Sequence, residues 1–260
     1  MLDIATIKKT GEALYACLRE TRTMPPLSVQ FPDLTIDDAY KISREFLFHR
    51  TTSGEKVVGK KIGVTSPAVQ EMLGVYQPDF GFMTDAMWQR NGIVDTTTLI
   101  APRAEAEIAF RLKDSLSGPG VTPEDVLRAT ESVIACFEIV DSRIENWDIK
   151  ITDTVADNAS CGVFVLSEEE VSPKGLDLAA LKVVVEKNGE FLSEGLGSAV
   201  QGAPENAVAW LANTLGEYGI PLHGGEIVLS GSLVPLAPAS TGDHFTMNID
   251  GLGSAEVRFR

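Results

Sequence analysis

Three glutamates interrupt apolar segments in the middle of this chain, and they constrain its fold more than any other feature. Residues 102–110 alternate as a β-strand does, so Glu105 and Glu107 project from one face and apolar side chains from the other. A second apolar segment, 133–140, carries the single acid Glu138. Carboxylates resist burial unless a cation or hydrogen-bond donors compensate them. The pattern therefore predicts either a cation shared between neighbouring strands or a solvated strand face, and spacing alone leaves both readings open.

The cation reading makes a specific prediction about the ion. If the two strands are neighbours, three carboxylates converge. No histidine is close to them in sequence, and Cys136, two residues before Glu138, is expected to be a buried thiol outside the ligand set. Oxygen ligands of this kind suit a hard divalent cation, Mg²⁺ or Mn²⁺, whose remaining positions are open to water or substrate. Zinc is not expected, because it prefers nitrogen and sulfur ligands.

Two further segments have the residue types of a binding site. In residues 59–66, glycines flank Lys60 and Lys61 beside apolar residues, where a lysine can lose solvent and its pKa can shift. Strand alternation would turn these two lysines to opposite faces, and a surface lysine pair is the alternative. Residues 153–162 combine Asp, Asn, Ser and Gly, which expose backbone N–H groups and can hold a carboxylate. An ordinary loop is the alternative there.

The order of predicted elements indicates an α+β fold. The first part of the chain predicts two helices, the second over 37–50 with Thr35 as its N-cap. Later strands do not alternate strictly with helices, which favours mixed or antiparallel pairing. We expect a helical N-terminal region over 1–55 and a β-rich domain over 56–260. Hairpin turns are predicted at Asn188-Gly189 and Asp250-Gly251.

Charge and composition exclude several classes of protein. The chain has 37 acidic and 22 basic residues, and this net charge of −15 disfavours nucleic acid and anionic membrane surfaces as partners. No apolar run approaches the roughly 18 residues of a membrane span, and no secretory signal is recognisable. We expect a cytoplasmic protein whose three sparse cysteines are reduced and mostly buried. These cysteines are Cys17, Cys136 and Cys161.

Several ordered motifs extend over nearly the whole chain and identify its relatives. With them, the chain resembles the 2-hydroxypenta-2,4-dienoate hydratases, of the hydratase/decarboxylase family in the fumarylacetoacetate hydrolase-like superfamily. The strand of Glu105 and Glu107 is one of these motifs. The others are KIGVTS at 61–66, LGVYQPDFG at 73–81, FEIVDSR at 137–143, DTVADNASCG at 153–162, VAWLAN at 208–213 and GLGS at 251–254.

The resemblance implies a fold, an ion and a reaction. The fold is a mixed β-roll or barrel-like core with a small helical N-terminal part, and residues 56–260 would form the catalytic domain. Mg²⁺ or Mn²⁺ would be held by Glu105, Glu107 and Glu138. The enzyme would be a hydro-lyase that adds water to 2-hydroxypenta-2,4-dienoate, through its 2-oxo-3-ene tautomer, to give 4-hydroxy-2-oxopentanoate in aromatic meta-cleavage catabolism.

The resemblance also assigns residues to the remaining steps. The family's active-site lysine falls on Lys61 and its motif aspartate on Asp79, and these two would share the proton transfers. The pKa of Lys61 is expected to fall toward neutrality beside the bound cation. The substrate carboxylate would be held by the loop that contains Asp157, Asn158 and above all Ser160.

Alternatives within and outside this family remain. One is a 2-oxo-3-hexenedioate (4-oxalocrotonate) decarboxylase, and another is a hydratase of a longer 2-oxo-alkenedioate. The hydratase reading is preferred because residues 61–64 and 160–162 look like hydratase versions of the motifs. A non-catalytic subunit of a complex is least expected, since the site residues are intact. The resemblance further implies a homo-oligomer and a complex with a related decarboxylase.

Overall fold

Two β-sheets and the helices around them form the described structure, which is a computed structural model. It describes the backbone of residues 1–260 and their side chains, except those of Ala68, Met72 and Leu73, so the Leu73 side chain of the 73–81 motif lies outside the described residues. The helices are α1 (Ile4–Arg19), α2 (Leu27–Gln30), α3 (Ile36–Thr52), α4 (Pro67–Leu73), α5 (Pro123–Ala129), α6 (Ile151–Ala156) and α7 (Pro204–Glu217). The strands are β1 (Val57–Gly63), β2 (Asp79–Thr84), β3 (Ile93–Val94), β4 (Arg103–Leu112), β5 (Thr130–Val140), β6 (Cys161–Leu166), β7 (Lys182–Lys187), β8 (Glu190–Leu196), β9 (Ile227–Ser232), β10 (Ala237–Pro238), β11 (His244–Ile249) and β12 (Gly253–Phe259).

The larger sheet carries the predicted acidic residues. Its strand order is β2-β1-β9-β4-β5-β6, and β10 pairs with β4. Pairing is mixed, because β1 and β9 are parallel while β4 is antiparallel to both β9 and β5. Three inter-strand spacings, about 14 Å in a flat sheet, separate β1 from β5. Side chains from these two strands nevertheless meet, so the sheet curls around the site and confirms the predicted mixed core.

The smaller sheet closes the other side of the core. Its order is β3-β12-β11-β7-β8. The hairpin predicted at Asn188-Gly189 joins β7 to β8, and both turn residues have positive φ, +57° and +80°, as a tight two-residue turn requires. The turn at Asp250-Gly251 likewise joins β11 to β12. Phe137 of β5 packs edge-on against Phe245 of β11, so the two sheets share an aromatic contact.

The N-terminal helices pack on the β-rich body rather than standing apart from it. Thr35 caps α3 as predicted, because its side chain accepts a hydrogen bond from the Asp38 N–H at 3.2 Å. Leu14 and Phe46 of these helices lie in the same hydrophobic cluster as Ile62 of β1. The division at residue 55 stays a prediction. In the described part of the chain, no helix has the length and apolar character of a membrane span.

Candidate active site

The three glutamates converge on one face of the β4–β5 pair. The antiparallel register places Glu105 directly opposite Glu138, and Glu107 opposite Cys136. One carboxylate oxygen of each glutamate lies within 4.8 Å of the other two. All three side chains are buried. The structure therefore brings together the residues in which the sequence predicted a metal site.

The hydrogen bonding of these carboxylates fits a cation. Oε2 of Glu107 accepts a hydrogen bond from the Gly231 N–H at 2.8 Å. Among the described residues, Oε1 of Glu107 and Oε2 of Glu138 have no hydrogen-bond donor, and Oε1 of Glu138 has the Lys61 ammonium 3.2 Å away. Buried polar atoms nearly always have partners, and clustered carboxylate oxygens that lack donors suit a hard divalent ion. The donor set thus fits Mg²⁺ or Mn²⁺ better than a softer metal.

Burial and mutual repulsion shift the acidity of the same groups. Loss of solvent, together with the charge of Glu138, raises the pKa of Glu105 to about 8. Burial likewise raises the pKa of Glu107 well above its usual range. For Glu138, burial outweighs the attraction of Lys61, and the net direction of the pKa is also upward. Without a cation, the folded protein therefore favours protonated carboxyls at these positions.

We expect the protein without divalent cation to lose stability as the pH rises from about 5 to 8. Burial raises the pKa of Glu105 from 4.5 to about 8. In this pH window the folded protein therefore keeps protons on its buried carboxyls, whereas the unfolded chain has released them. The free energy of unfolding must then fall with rising pH. Mg²⁺ should flatten this slope, because it binds the ionised carboxylates. Melting temperatures measured at several pH values, in EDTA and in Mg²⁺, check the expectation, and identical slopes would contradict it.

Lys61 reaches this cluster from β1. Its Nζ lies 3.2 Å from Oε1 of Glu138, and the side chain is buried. Burial alone would lower the pKa of Lys61, but the charges of Glu138 and Asp79 outweigh it and move the pKa upward. The protein's own side chains therefore oppose the predicted fall of the Lys61 pKa toward neutrality. Only a bound cation could produce that fall.

Lys60 faces the opposite side of β1, as strand alternation predicted. Its Nζ lies 2.6 Å from both carboxylate oxygens of Glu226. Lys60 and Lys61 are each 2% exposed, so the alternative of a surface lysine pair is wrong. The reason is that β1 lies inside the sheet, between β2 and β9. Lys60 thus belongs to a structural ion pair on the outer face.

Asp79 lies beside Lys61 at the start of β2. The register pairs Asp79 with Gly63, and Thr154 donates a hydrogen bond to its Oδ2 at 2.9 Å. Oδ1 has no donor among the described residues, and burial raises the pKa of the carboxyl. A Cβ atom placed on Gly63 would lie 2.3 Å from Oδ1 of Asp79 and 3.2 Å from Nζ of Lys61. The two groups therefore meet above a glycine that leaves them room.

A small cavity of about 20 Å³ opens at this point. Part of its lining is polar, whereas Val69, Val140, Leu236 and Trp147 pack together as one apolar cluster. Lys61 is the cationic residue among the described residues that line it. The polar lining comprises Lys61, Asp79, Glu105, Thr154 and Ser160, and the apolar lining includes Val64, Val69, Val140, Trp147, Ile149 and Leu236.

The three residues predicted to hold the substrate carboxylate are placed differently from one another. Ser160 lines the cavity. Asp157 is fully buried against Arg143, with 2.6 Å between its Oδ1 and Nε of the arginine. The side-chain amide of Asn158 forms hydrogen bonds with the main chain of Phe82. Neither Asp157 nor Asn158 is among the described lining residues. Arg143 was not singled out from the sequence, although it ends the 137–143 motif.

Comparisons with known proteins identify relatives of this chain. Residues 84–260 match the family model described as fumarylacetoacetate (FAA) hydrolase C-terminal. The chain is 57% identical over 262 residues to 2-hydroxyhexa-2,4-dienoate hydratase of Comamonas testosteroni, covering 100% of this chain and 99% of that protein. It is 56% identical over 221 residues to 2-hydroxypent-2,4-dienoate hydratase of Pseudomonas putida, covering 84% and 100%.

A solved structure extends the likeness to three dimensions. 4-Oxalocrotonate decarboxylase from Pseudomonas putida G7, complexed with magnesium and adipate, matches with a TM-score of 0.96 at 36% identity. The match covers 100% of this chain and 99% of that one. The predicted α+β fold and the family resemblance are both confirmed. With a curled mixed sheet, a converging glutamate cluster and relatives of this identity along its whole length, the chain belongs to the fumarylacetoacetate hydrolase family.

Proposed function

We propose that this protein is a metal-dependent hydratase of 2-hydroxypenta-2,4-dienoate. It adds water through the 2-oxo-3-ene tautomer and forms 4-hydroxy-2-oxopentanoate, a step of aromatic meta-cleavage catabolism. One observation supports this most strongly: buried Lys61 and Glu105 line a cavity that also has an apolar lining, and Glu105 belongs to a cluster of three buried glutamates.

The metal ligands in this proposal are Glu105, Glu107 and Glu138. The ion is Mg²⁺ or Mn²⁺, because the donors are carboxylate oxygens. Magnesium is present in the decarboxylase structure that this chain resembles. When bound, such a cation supplies positive charge against the negative charge that develops on the 2-oxygen of the substrate.

Proton transfer in this proposal belongs to Lys61 and Asp79. Tautomerisation needs a proton at carbon 5 of the substrate, and hydration at carbon 4 needs one at carbon 3. Nζ of Lys61 can donate, and the free Oδ1 of Asp79 can accept or, when protonated, donate. Both atoms border the same small space above Gly63, so a bound substrate would meet both.

The apolar lining of the cavity favours a substrate with one carboxylate. Val64, Trp147 and Leu236 offer no charge to a second carboxylate, and Lys61 is already paired with Glu138. Burying a carboxylate without a partner costs several kcal/mol. This argues for the hydratase over the decarboxylase or the hydratase of a longer diacid. A terminal methyl group would be compatible with the same surface.

Substrate preference tests the proposal directly. The purified protein is incubated with Mg²⁺ or Mn²⁺ and three compounds: 2-hydroxypenta-2,4-dienoate, 2-hydroxyhexa-2,4-dienoate and 2-oxo-3-hexenedioate. Diene absorbance and carbon dioxide release are followed separately. We expect kcat/KM for the monoacids to exceed that for the diacid by about 100-fold, equivalent to about 2.7 kcal/mol. Efficient carbon dioxide release from the diacid would favour the decarboxylase instead.

The oligomeric state is part of the same proposal. Strand β8 is an edge of the smaller sheet, and Phe191 and Leu196 on it are 65% and 47% exposed. Exposed apolar side chains on an edge strand favour association. We expect a homo-oligomer, able to associate with a related decarboxylase. Light scattering that shows a 28.0 kDa monomer at micromolar concentration would contradict the homo-oligomer.

A further inference from the structure

Arg143 and Asp157 form a buried ion pair directly behind the loop that lines the cavity. Both side chains have 0% exposure. Nε of Arg143 donates to Oδ1 of Asp157 at 2.6 Å, and its backbone N–H donates to Oδ2 at 3.0 Å. The guanidinium also donates to the carbonyl oxygens of Asp157 at 2.5 Å, of Cys161 at 3.0 Å, and of Asp141. Arg143 therefore holds the chain on both sides of residues 158–160.

Those three residues adopt a conformation that ordinary residues avoid. The φ angles of Asn158, Ala159 and Ser160 are +57°, +53° and +49°, in the left-handed region. Non-glycine residues pay a steric cost there, and three in succession persist only where the surroundings hold them. The contacts of Arg143 at each end of the turn supply that restraint.

A second contact fixes the same turn against β2. The Asn158 side chain accepts from the Phe82 N–H at 2.8 Å and donates to the Phe82 carbonyl at 2.9 Å. Gly81 permits this approach, since a Cβ atom there would lie 2.4 Å from the Asn158 carbonyl oxygen. With Asn158 held outward, Ala159 and Ser160 are the members of the turn that line the cavity.

The ion pair also sets the direction of the Ser160 hydrogen bond. The Ser160 hydroxyl donates to Oδ2 of Asp157 at 3.2 Å. An ionised carboxylate can only accept, so the hydroxyl proton points away from the cavity. The oxygen lone pairs of Ser160 are then what it offers to a bound molecule. An acceptor of this kind binds a hydrogen-bond donor. It does not suit a carboxylate, which is itself an acceptor.

We propose that Arg143 and Asp157 are a positioning pair for the hydration step. They hold the left-handed turn and orient Ser160, which accepts a hydrogen bond from the water that adds to the substrate. The substrate carboxylate is left to the cation. This inference rests on the proposed function and revises the role that the sequence suggested for Asp157, Asn158 and Ser160.

The test is the variant Asp157→Asn, which keeps the shape of the side chain and removes its charge. Kinetics are measured with Mg²⁺ and the monoacid that the wild type turns over fastest. We expect kcat to fall by about 10- to 100-fold, because the water is no longer aligned. KM should stay within about twofold, because Ser160 does not bind the substrate carboxylate. Mg²⁺ affinity, measured by calorimetry, should be unchanged.

Glu226→Gln is the matched control. It also removes the charge from a largely buried ion pair, with Lys60, but on the outer face of the sheet. It should lower the melting temperature and leave kcat and KM unchanged. If both variants behave alike, the Arg143–Asp157 pair is merely structural and the inference is wrong.

The remaining outcomes are equally decisive. A raised KM with unchanged kcat in Asp157→Asn would show that Ser160 anchors the carboxylate. If that variant does not fold, Ala159→Gly replaces it, because glycine adopts positive φ without strain and loosens the turn. We then expect a lower kcat with an equal or higher melting temperature, and an unchanged kcat overturns the inference. A wild type inactive on both monoacids would overturn the proposed function, and this inference with it.

Discussion

Replacing Lys61 with Met is expected to lower kcat by about 10²- to 10⁴-fold, the usual contribution of a general acid–base. Met keeps the apolar stem of the buried side chain and removes the ammonium group that lies 3.2 Å from Glu138. Substrate can still bind the cation through its carboxylate and 2-oxygen, so KM should change much less. Steady-state kinetics at saturating Mg²⁺ separate the two parameters.

Lys60→Met is the control for this experiment. Lys60 is equally buried but contacts Glu226 on the outer face, so its loss should lower the melting temperature and spare kcat. An essential Lys60 with a dispensable Lys61 would place the active lysine one residue away. Unchanged kcat with lost substrate binding in Lys61→Met would instead make Lys61 a carboxylate anchor and leave Asp79 as the acid–base.

Replacing Glu107 with Gln should weaken Mg²⁺ binding by at least about tenfold, or 1.4 kcal/mol, and reduce turnover accordingly. Gln can still accept the hydrogen bond from Gly231 but carries no charge. Calorimetry with Mg²⁺ measures the affinity. In the wild type, chelation should abolish turnover, and Mg²⁺ or Mn²⁺ should restore it.

The same variant makes an opposite prediction for stability. Burial and neighbouring carboxylates raise the pKa of Glu107, so its ionised form destabilises the cation-free protein. At pH 8 in EDTA, Glu107→Gln should therefore melt at a higher temperature than the wild type. Adding Glu138→Gln should give a non-additive effect on affinity, because the ligands act together. Normal Mg²⁺ affinity and turnover would mean that these glutamates form no metal site.

Local patterns in the sequence predicted the elements that depend on neighbouring residues. The Thr35 cap, the Asn188-Gly189 hairpin and the paired orientation of Glu105 and Glu107 need only short-range geometry. The register of Glu105 opposite Glu138 depends on two strands meeting, so spacing alone could not decide between a cation site and a solvated face.

The sequence was least informative where distant side chains determine the environment. Composition suggested a ligand-binding role for Asp157, since nothing local reveals that Arg143 neutralises it. The pKa of Lys61 moves upward because carboxylates from other strands surround it, which the glycines beside it could not indicate. The sequence allowed a surface position for Lys60, because its ion-pair partner, Glu226, lies far along the chain.

The polar and apolar parts of the cavity lining are built from different kinds of element. Lys61, Glu105 and Asp79 belong to strands, whereas much of the apolar lining belongs to connections and a short helix. Those lining residues are Val64, Val69, Trp147, Ile149 and Leu236. Saturation libraries confined to these positions could therefore diversify the tail of an accepted substrate while the reactive groups keep their spacing. Directed evolution of this scaffold would begin there, with strand residues held constant.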